Sequence, residues 1–520
     1  MESSSDERSY IGLDQLALAA LQPALHQSEP NHSPIVPRSR APEYQISQAS
    51  HITLSFDGIT PFITGQEDHG AIAATSPGLL SLSTSAYDEY THDPRFLESQ
   101  RKLRDLLLTS AQSLAPTRAG SPIDTAAIPS EGSQGKQNSR LKDIITTEER
   151  VVWLKNYLDE VAPWLDMFDE EQHFQTKIPI LAQSSVPLTY AMLAISARQI
   201  ERGRKLNGDH DSLQLYQESI KSLTPQLLAQ DPNIMAACVI LCVLEMMSAS
   251  PWNWRRHLDG CAALFSSHGI TGNSGGIRQA VFWCYARMDL CAAIISAGEE
   301  SVVLPLEHWL PQGIVPCNVF QTNKVPDMWA NYAVYLGGQV CHLIWLQCND
   351  SIDTSTPTDD EAFLHKWHQL WSDLQAWLAE RPPELLQLEF REDTMKDNLF
   401  PFILYAAPCA ISSNQLYHTS CLLLLDIFPP SVNPSQLGQI GSKLWHARRI
   451  CGISTTNAHH GCLNNAIQPL WVAGKVLSHP VEHKAVADLI RSIEAKTGWG
   501  GKWRIADLKE VWGYDRDAAV

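Results

Sequence analysis

Between Asp231 and Ile295 the chain carries three apolar segments, each too long for a strand, with Ser-Pro and Gly-rich breaks between them. A run of that length satisfies its own backbone hydrogen bonds only as a helix, so the stretch predicts the interior of a large helical array. One polar seam, Arg255-Arg256-His257, is threaded through it just after Trp252 and Trp254. The functional question is whether this seam does chemistry, binds something, or holds helices together.

The rest of the composition fits such an array. A hydrophobic fraction of 44% and 16 Trp provide for a sizeable core, and this length accommodates about two to four average domains or one large helical domain with tails. The longest apolar run, Ile234 to Leu244, is well short of the ~20 residues of a membrane span. The start, MESSSDERSY, has no apolar signal core. All 12 Cys lie at or after Cys238, mostly inside apolar segments and without the spacing of a disulfide framework. These features place the chain in a reducing compartment, cytosol or nucleus. A net charge of −18 argues against gripping a phosphate backbone directly, because proteins that do so present a basic face.

Four regions are expected along the chain. Residues 1–85 are rich in Ser, Pro, Gln, Thr and His, a composition that reads as a disordered tail. Residues 86–114 contain a short helical segment in which Phe96, Leu97, Leu103, Leu106, Leu107 and Leu108 fall largely on one side. Residues 115–140 are a Gly/Ser/Pro linker, and residues 141–520 form the helical main body. That body opens at Thr146-x-x-Glu149, a capping-box spacing, and Pro163 is expected to stop its first helix. Further helices are expected near 187–204, 212–229, 233–248, 254–268, 277–297, 328–347 and 359–380. A helix pair follows around 398–427, and helical stretches at 435–450, 463–477 and 486–493 precede Gly498. The 359–380 helix shows Phe363, Trp367, Leu370, Trp371, Leu374 and Trp377 as one stripe. Period-two alternation is never sustained, so the fold class is all-α: a large array of antiparallel helices behind a disordered tail.

Motifs for enzyme chemistry lack their context. Gly272-Asn273-Ser274-Gly275-Gly276 matches G-x-S-x-G, but a nucleophile elbow needs a strand before the Ser, and here a helix precedes it. Gly269 reads as a helix C-cap in the same loop. His257 with Cys261, Cys238 with Cys242, and the group Cys451, His459, His460 and Cys462 have partial metal-ligand spacing, but no C-x2-C occurs anywhere. Glu299-Glu300, Asp359-Asp360-Glu361 and Glu392-Asp393 read as helix-start or solvated charges. The expectation is therefore no catalytic residue, no bound metal and no cofactor. The seam of Trp254, Arg255, Arg256, His257 and Asp289 remains as a candidate ligand site or structural polar network, with one Arg paired to Asp259 or Asp289.

The segment Trp254-Arg255-Arg256-His257-Leu258-x-Gly260-Cys261-Ala262-x-Leu264, followed by Phe282-Trp283-x-x-Ala286-Arg287-Met288-Asp289, resembles the regulatory domain of fungal zinc-cluster transcription factors. Ala162 to Asp169, Ala191 to Gln199, Trp377-Leu378-x-x-Arg381-Pro382 and the tail from Gly498 to Tyr514 fit the same family. The resemblance covers about 146–514 in order. It implies an all-α nuclear domain that regulates RNA polymerase II transcription through protein partners or a homo- or heterodimer, without catalytic residues and without membrane association. Such factors read DNA through a six-cysteine cluster, and the first 237 residues here contain no Cys. No DNA-binding residue is therefore expected in this chain. The competing reading is a small-molecule-binding helical protein or enzyme on the same scaffold, working through Arg255, Arg256 and His257.

Overall fold

The computed structural model describes residues 90, 92–114, 140–204, 211–227, 232–248, 251–350, 357–392, 399–432 and 434–515. The proposed tail lies outside these residues, as does the proposed linker up to residue 139, while Arg140 begins a short helix, Arg140–Ile144. The longer helices are α1 (Pro94–Leu114), α2 (Glu148–Asn156), α3 (Val186–Arg204), α4 (Asp211–Leu223), α5 (Pro232–Ser248), α6 (Pro251–Ser267) and α7 (Gly276–Ile295). They continue as α8 (Pro326–Asp350), α9 (Pro357–Glu380), α10 (Pro408–Asp426), α11 (Lys443–Thr456), α12 (Ile467–Gly474), α13 (Pro480–Thr497) and α14 (Lys502–Val511). Among the described residues the fold is all-α apart from one short antiparallel pair, β1 (Glu389–Arg391) and β2 (Phe402–Leu404), with Phe390 opposite Ile403.

Helices adjacent in sequence pack on one another, as α3 on α4, α8 on α9 and α10 on α11, and longer-range pairs such as α1 on α6 and α8 on α10 close the array. The 231–295 stretch is its interior: Cys238, Val239, Ile240, Leu241 and Cys242 of α5 are fully buried, as are Leu258 and Cys261 of α6. The α9 stripe is buried as its period requires, and Trp329 and Trp377 exchange hydrogen bonds from each indole N–H to the other's carbonyl, at 3.2 and 2.9 Å. Such pairing lets an indole be buried without losing its donor.

Helix α1 belongs to the body's core. Its Phe96, Leu103 and Leu107 are buried, and it meets α6 so closely that a Cβ on Gly260 would sit 2.8 Å from Leu107 Cβ. Only a residue without a side chain permits that approach.

Several expectations at element ends are corrected. The first cap of the body is Thr147, not Thr146: its hydroxyl accepts from Arg150 N, so the pair Thr146 and Glu149 forms no capping box. Pro163 does not stop the helix. The chain passes through a π-turn at Tyr157–Val161 and resumes at Ala162–Leu165, where Pro163 lies in the first turn and its missing N–H costs nothing. The expected helix pair at 398–427 is one helix, α10, preceded by β2. The 435–450 stretch is a 3₁₀ segment, Pro434–Gly441, bent at Gly438 (φ 60°) before Ser442 caps α11. By contrast Arg381-Pro382 ends α9, and Gly498 closes α13 in the left-handed region at φ 73°.

Candidate functional site: the polar seam and its cleft

The structure divides the polar seam between two places. At position 254 the indole is buried, as is the imidazole of His257, whereas Arg256 is exposed and Arg255 lies between. A helix turns by about 100° per residue, so these four consecutive side chains cannot all share one destination.

His257 points inward to Glu245 of α5, Nδ1 to Oε1 at 2.8 Å. The same fully buried carboxylate accepts from Tyr216 of α4 at 2.6 Å and from Gln100 of α1 at 2.6 Å. Glu245 thus ties four helices, α1, α4, α5 and α6, at one point. Sequence reasoning missed it, because a lone Glu in Val-Leu-Glu-Met-Met is the only charge on an apolar helix; that anomaly was the available signal.

Arg255 and Arg256 face the other way, into a cleft of about 1040 Å³. Its walls are the first turns of α6, the loop from Glu300 to Glu307, the face of α8 bearing Tyr335, Gln339 and His342, and Lys366 of α9. The partner of Arg255 is neither Asp259 nor Asp289: its Nε pairs with Glu300, and its Nη2 donates to Ser301 O. Glu300 is therefore not the solvated charge its sequence context suggests. Asp289 instead shapes the cleft wall. It is fully buried and accepts from Val303 N at 2.6 Å, Leu304 N at 2.9 Å and the Tyr285 hydroxyl at 3.2 Å. Burial pushes its carboxyl up to about 6, while the two backbone donors act in the opposite direction.

The cleft holds one hydroxyl–imidazole pair, Ser301 Oγ with His342 Nδ1 at 3.0 Å. Burial lowers the His342 pKa, and the ring stacks on Trp345 with centroids 5.5 Å apart. A nucleophile activated by such a base needs a third group to orient the base. Among the described residues no carboxylate bonds the other nitrogen of His342, so the pair braces the loop against α8. Lys366 donates to Gln339 Oε1 at 3.3 Å.

The other motif residues have structural employment. Ser274 Oγ accepts from Thr271 N at 2.8 Å in an exposed turn. His460 Nδ1 accepts from the Trp164 indole at 2.9 Å, and His459 caps the turn at Gly461. Cys238, Cys242, Cys261 and Cys451 are fully buried, and burial pushes all four thiols up. Among the described residues no group of His, Cys, Asp and Glu is arranged to hold a metal ion.

Each resembling segment is thus an architectural joint. Trp254 to Leu264 is α6, carrying His257 to Glu245 and Gly260 to Leu107. Within Ala162 to Asp169, Asp166 accepts from Phe174 N and Gln175 N at 2.7 and 2.8 Å, and in the tail Trp512 stacks on His483 at 4.1 Å. The fungal-specific transcription factor domain model matches residues 153–518. The chain belongs to that family. Transcription activator AMTR1 of Alternaria alternata is 21% identical, over 71% of this chain and 64% of the relative. The match therefore spans a little under two thirds of the length of the relative. No solved structure matches the chain. Within this fungal transcription factor domain, no helix among the described residues is long and apolar enough to cross a membrane.

Proposed function

We propose that the chain is a nuclear regulator of RNA polymerase II transcription that works through protein contacts made by its helical domain, with no catalysis. The observation that carries this reading is the family match over 153–518, together with a relative whose name is that of a transcription activator. A metabolic or biosynthetic gene set is the proposed target, and a DNA-binding factor or a second copy of the chain is the proposed partner. The contact surface proposed is the cleft walled by α6, the Glu300–Glu307 loop and α8, because it presents Arg256 to solvent beside apolar Leu343 and Leu346. Exposed Arg at the edge of an apolar groove is a common anchor for a protein partner.

The test is to fuse the chain to a heterologous DNA-binding domain and measure a reporter. Expression is expected to change several-fold in either direction, and Arg256→Glu is expected to abolish most of that change without altering the amount of folded protein. A fusion that leaves the reporter at its baseline would overturn the regulator reading. A fusion that works equally well with Arg256→Glu would remove the cleft from it.

The competing enzyme or small-molecule reading of Arg255, Arg256 and His257 is not favoured at this site. His257 is committed to Glu245, Arg255 to Glu300, and Arg256 is left without either as a neighbour in function.

A further inference from the structure

A second cavity, unrelated to the polar seam, lies between α5, α7, α10, the Ala162–Leu165 turn and the segment Asn464–Pro469. Its volume is about 70 Å³. On α7, Cys284, Arg287, Met288, Cys291 and Ile294 line it at i, i+3, i+4, i+7 and i+10, which is one helical face. Arg287 is the one charge on that otherwise apolar stripe.

Arg287 is only 8% exposed, and its guanidinium lies 5.3 Å from the centre of the Phe168 ring without an ion-pair partner. Among the described residues it has no carboxylate within 4.0 Å and makes one hydrogen bond, from Nη2 to Leu165 O at 2.6 Å. Asp166 and Asp169 act on it from further away, and burial lowers its pKa. Asp166, whose carboxyl burial pushes up to about 7, carries only part of a charge at neutral pH and stands beyond ion-pair distance. A desolvated cation without a counter-ion is costly to a fold, so an anion bound beside it would be stabilising.

Other polar groups facing the cavity include donors. Ser412 Oγ is buried with no nitrogen or oxygen partner, and its polar neighbour is the Cys462 thiol. Gln468 receives Arg504 Nε on its Oε1 at 2.8 Å. A guanidinium only donates, so the amide oxygen must face Arg504, which leaves the Gln468 NH2 group to turn elsewhere. Asn464 is fixed in the same way, because Asn465 N donates to its Oδ1 at 3.0 Å. Its NH2 group is likewise without a protein acceptor among the described residues. One cation, the Ser412 hydroxyl and four side-chain amides, those of Gln415, Asn464, Asn465 and Gln468, therefore line the cavity beside apolar walls that include Met246, Met288 and Leu416.

We propose that this cavity is a binding site for a short aliphatic carboxylate, with the carboxylate on Arg287 and the donors of Ser412, Gln468 and Asn464, and the hydrocarbon against the methionines. A single cation suits a monoanion, and charge-assisted bonds to a guanidinium are the strong member of the set. The volume is about half of the ~150 Å³ that holds a benzene ring, which limits the ligand to a few carbons. Trp164 and Trp499, edge to face with ring centres 6.1 Å apart, form one side of the site. This assignment goes beyond the regulator reading and does not depend on it.

The test uses the purified full chain in a buffer free of carboxylates, with calorimetric titration and thermal unfolding as readouts. The probes are acetate, propionate, isovalerate and pyruvate, against isovaleramide and inorganic phosphate. At least one carboxylate is expected to bind and raise Tm, with isovaleramide at least tenfold weaker than isovalerate and phosphate weaker than the best carboxylate. Arg287→Gln is expected to lose at least tenfold in affinity. Since that variant removes the bond to Leu165 O and can fail to fold, Ser412→Ala is the second variant. Its hydroxyl has only a weak thiol partner, Cys462, to lose, and a loss of threefold or more is expected. Absence of binding by all four carboxylates, equal binding of isovaleramide, tighter binding of phosphate, or unchanged affinity in Ser412→Ala would each overturn the proposal. None of these outcomes touches the reporter assay, so the two readings fail separately.

Discussion

Glu245 offers the most direct test of how this domain is held together. Replacing it with Leu keeps most of the side-chain volume but removes the only acceptor for three buried donors: the Gln100 amide, the Tyr216 hydroxyl and the His257 ring N–H. Each donor left without a partner costs about 1–3 kcal/mol, and removing one side of a buried charged cluster typically costs about 3–5 kcal/mol in total. Taking the lower end for each donor, Glu245→Leu should destabilise the domain by about 3–5 kcal/mol, a large part of the ~5–15 kcal/mol that a folded protein has. Glu245→Gln should cost much less, about 1–2 kcal/mol. Its oxygen still serves Tyr216 and His257, and the Gln100 amide can turn its own oxygen to the new NH2 group.

The assay is urea unfolding of wild type, Glu245→Leu and Glu245→Gln, followed by hydrogen exchange on α1. Because Gln100 is the only member of the network on α1, Gln100→Leu should lower protection of α1 amides before the remaining helices respond. A Glu245→Leu variant within about 1 kcal/mol of wild type, or one no worse than Glu245→Gln, would refute the network as the joint of four helices.

Three further perturbations follow from the same geometry. Gly260→Ala places a methyl 2.8 Å from Leu107 Cβ and should cost about 1–3 kcal/mol by forcing α1 from α6, read as a lower urea midpoint. Asp289→Ala removes the acceptor for Val303 N and Leu304 N and should raise hydrogen exchange at those two amides well above exchange in α5, with a loss of about 2–4 kcal/mol. The third concerns acid. His446 Nε2–H donates to Ile440 O at 2.8 Å, so its Nδ1 accepts from His418 Nδ1–H at 2.9 Å and both rings are neutral. Burial lowers both, His446 to about 4 and His418 further below its ordinary 6.5. The unfolded chain then binds protons first as pH falls below about 6.5, so this pair withdraws stability between about 6.5 and 4, on the order of 1 kcal/mol per pH unit for His446. Asp166, raised to about 7, and Asp289 and Asp327, raised to about 6, have the opposite sign and lose stability as pH rises through those values. The readout is therefore the difference between wild type and His446→Gln, which should narrow from pH 7 to pH 5; a constant difference would count against the neutral pair.

Helix existence was legible because it depends on local periodicity, and the α9 stripe from Phe363 to Trp377 shows the case at its clearest. Element ends were less so, since Thr146 and Thr147 are equal candidates for a cap until the chain's direction of entry is known. The β-pair escaped notice because three-residue strands have no period to detect, and β2 is held not only by β1 but by Asn457, whose amide donates to Ile403 O at 2.7 Å. Site residues divide by the same rule. Trp254 to Leu264 was visible as a motif, but the partner of Arg255 was not, because Glu300 comes to it from a loop whose course is set by Asp289.

The contrast between Arg255 and Arg287 carries the argument one step further. Both stand in motif segments, and only the first looked functional, since it lies in a cluster of polar letters. Three-dimensional context reverses that ranking for small ligands. Arg255 already has Glu300 and Ser301 as partners, so a second anion would have to displace one of them and lose much of what it gained. Arg287, the one charge on the cavity-facing stripe of its helix, has a single carbonyl, the Phe168 ring and a cavity before it. The informative letter in such a helix is the charge that the apolar pattern does not require, and the same reasoning locates Glu245 one helix earlier. There the protein itself supplies three donors to the odd charge. At Arg287 it supplies further donors beside the cation and no counter-ion, which is why the two anomalies lead to opposite conclusions: a joint in the first case and a ligand site in the second.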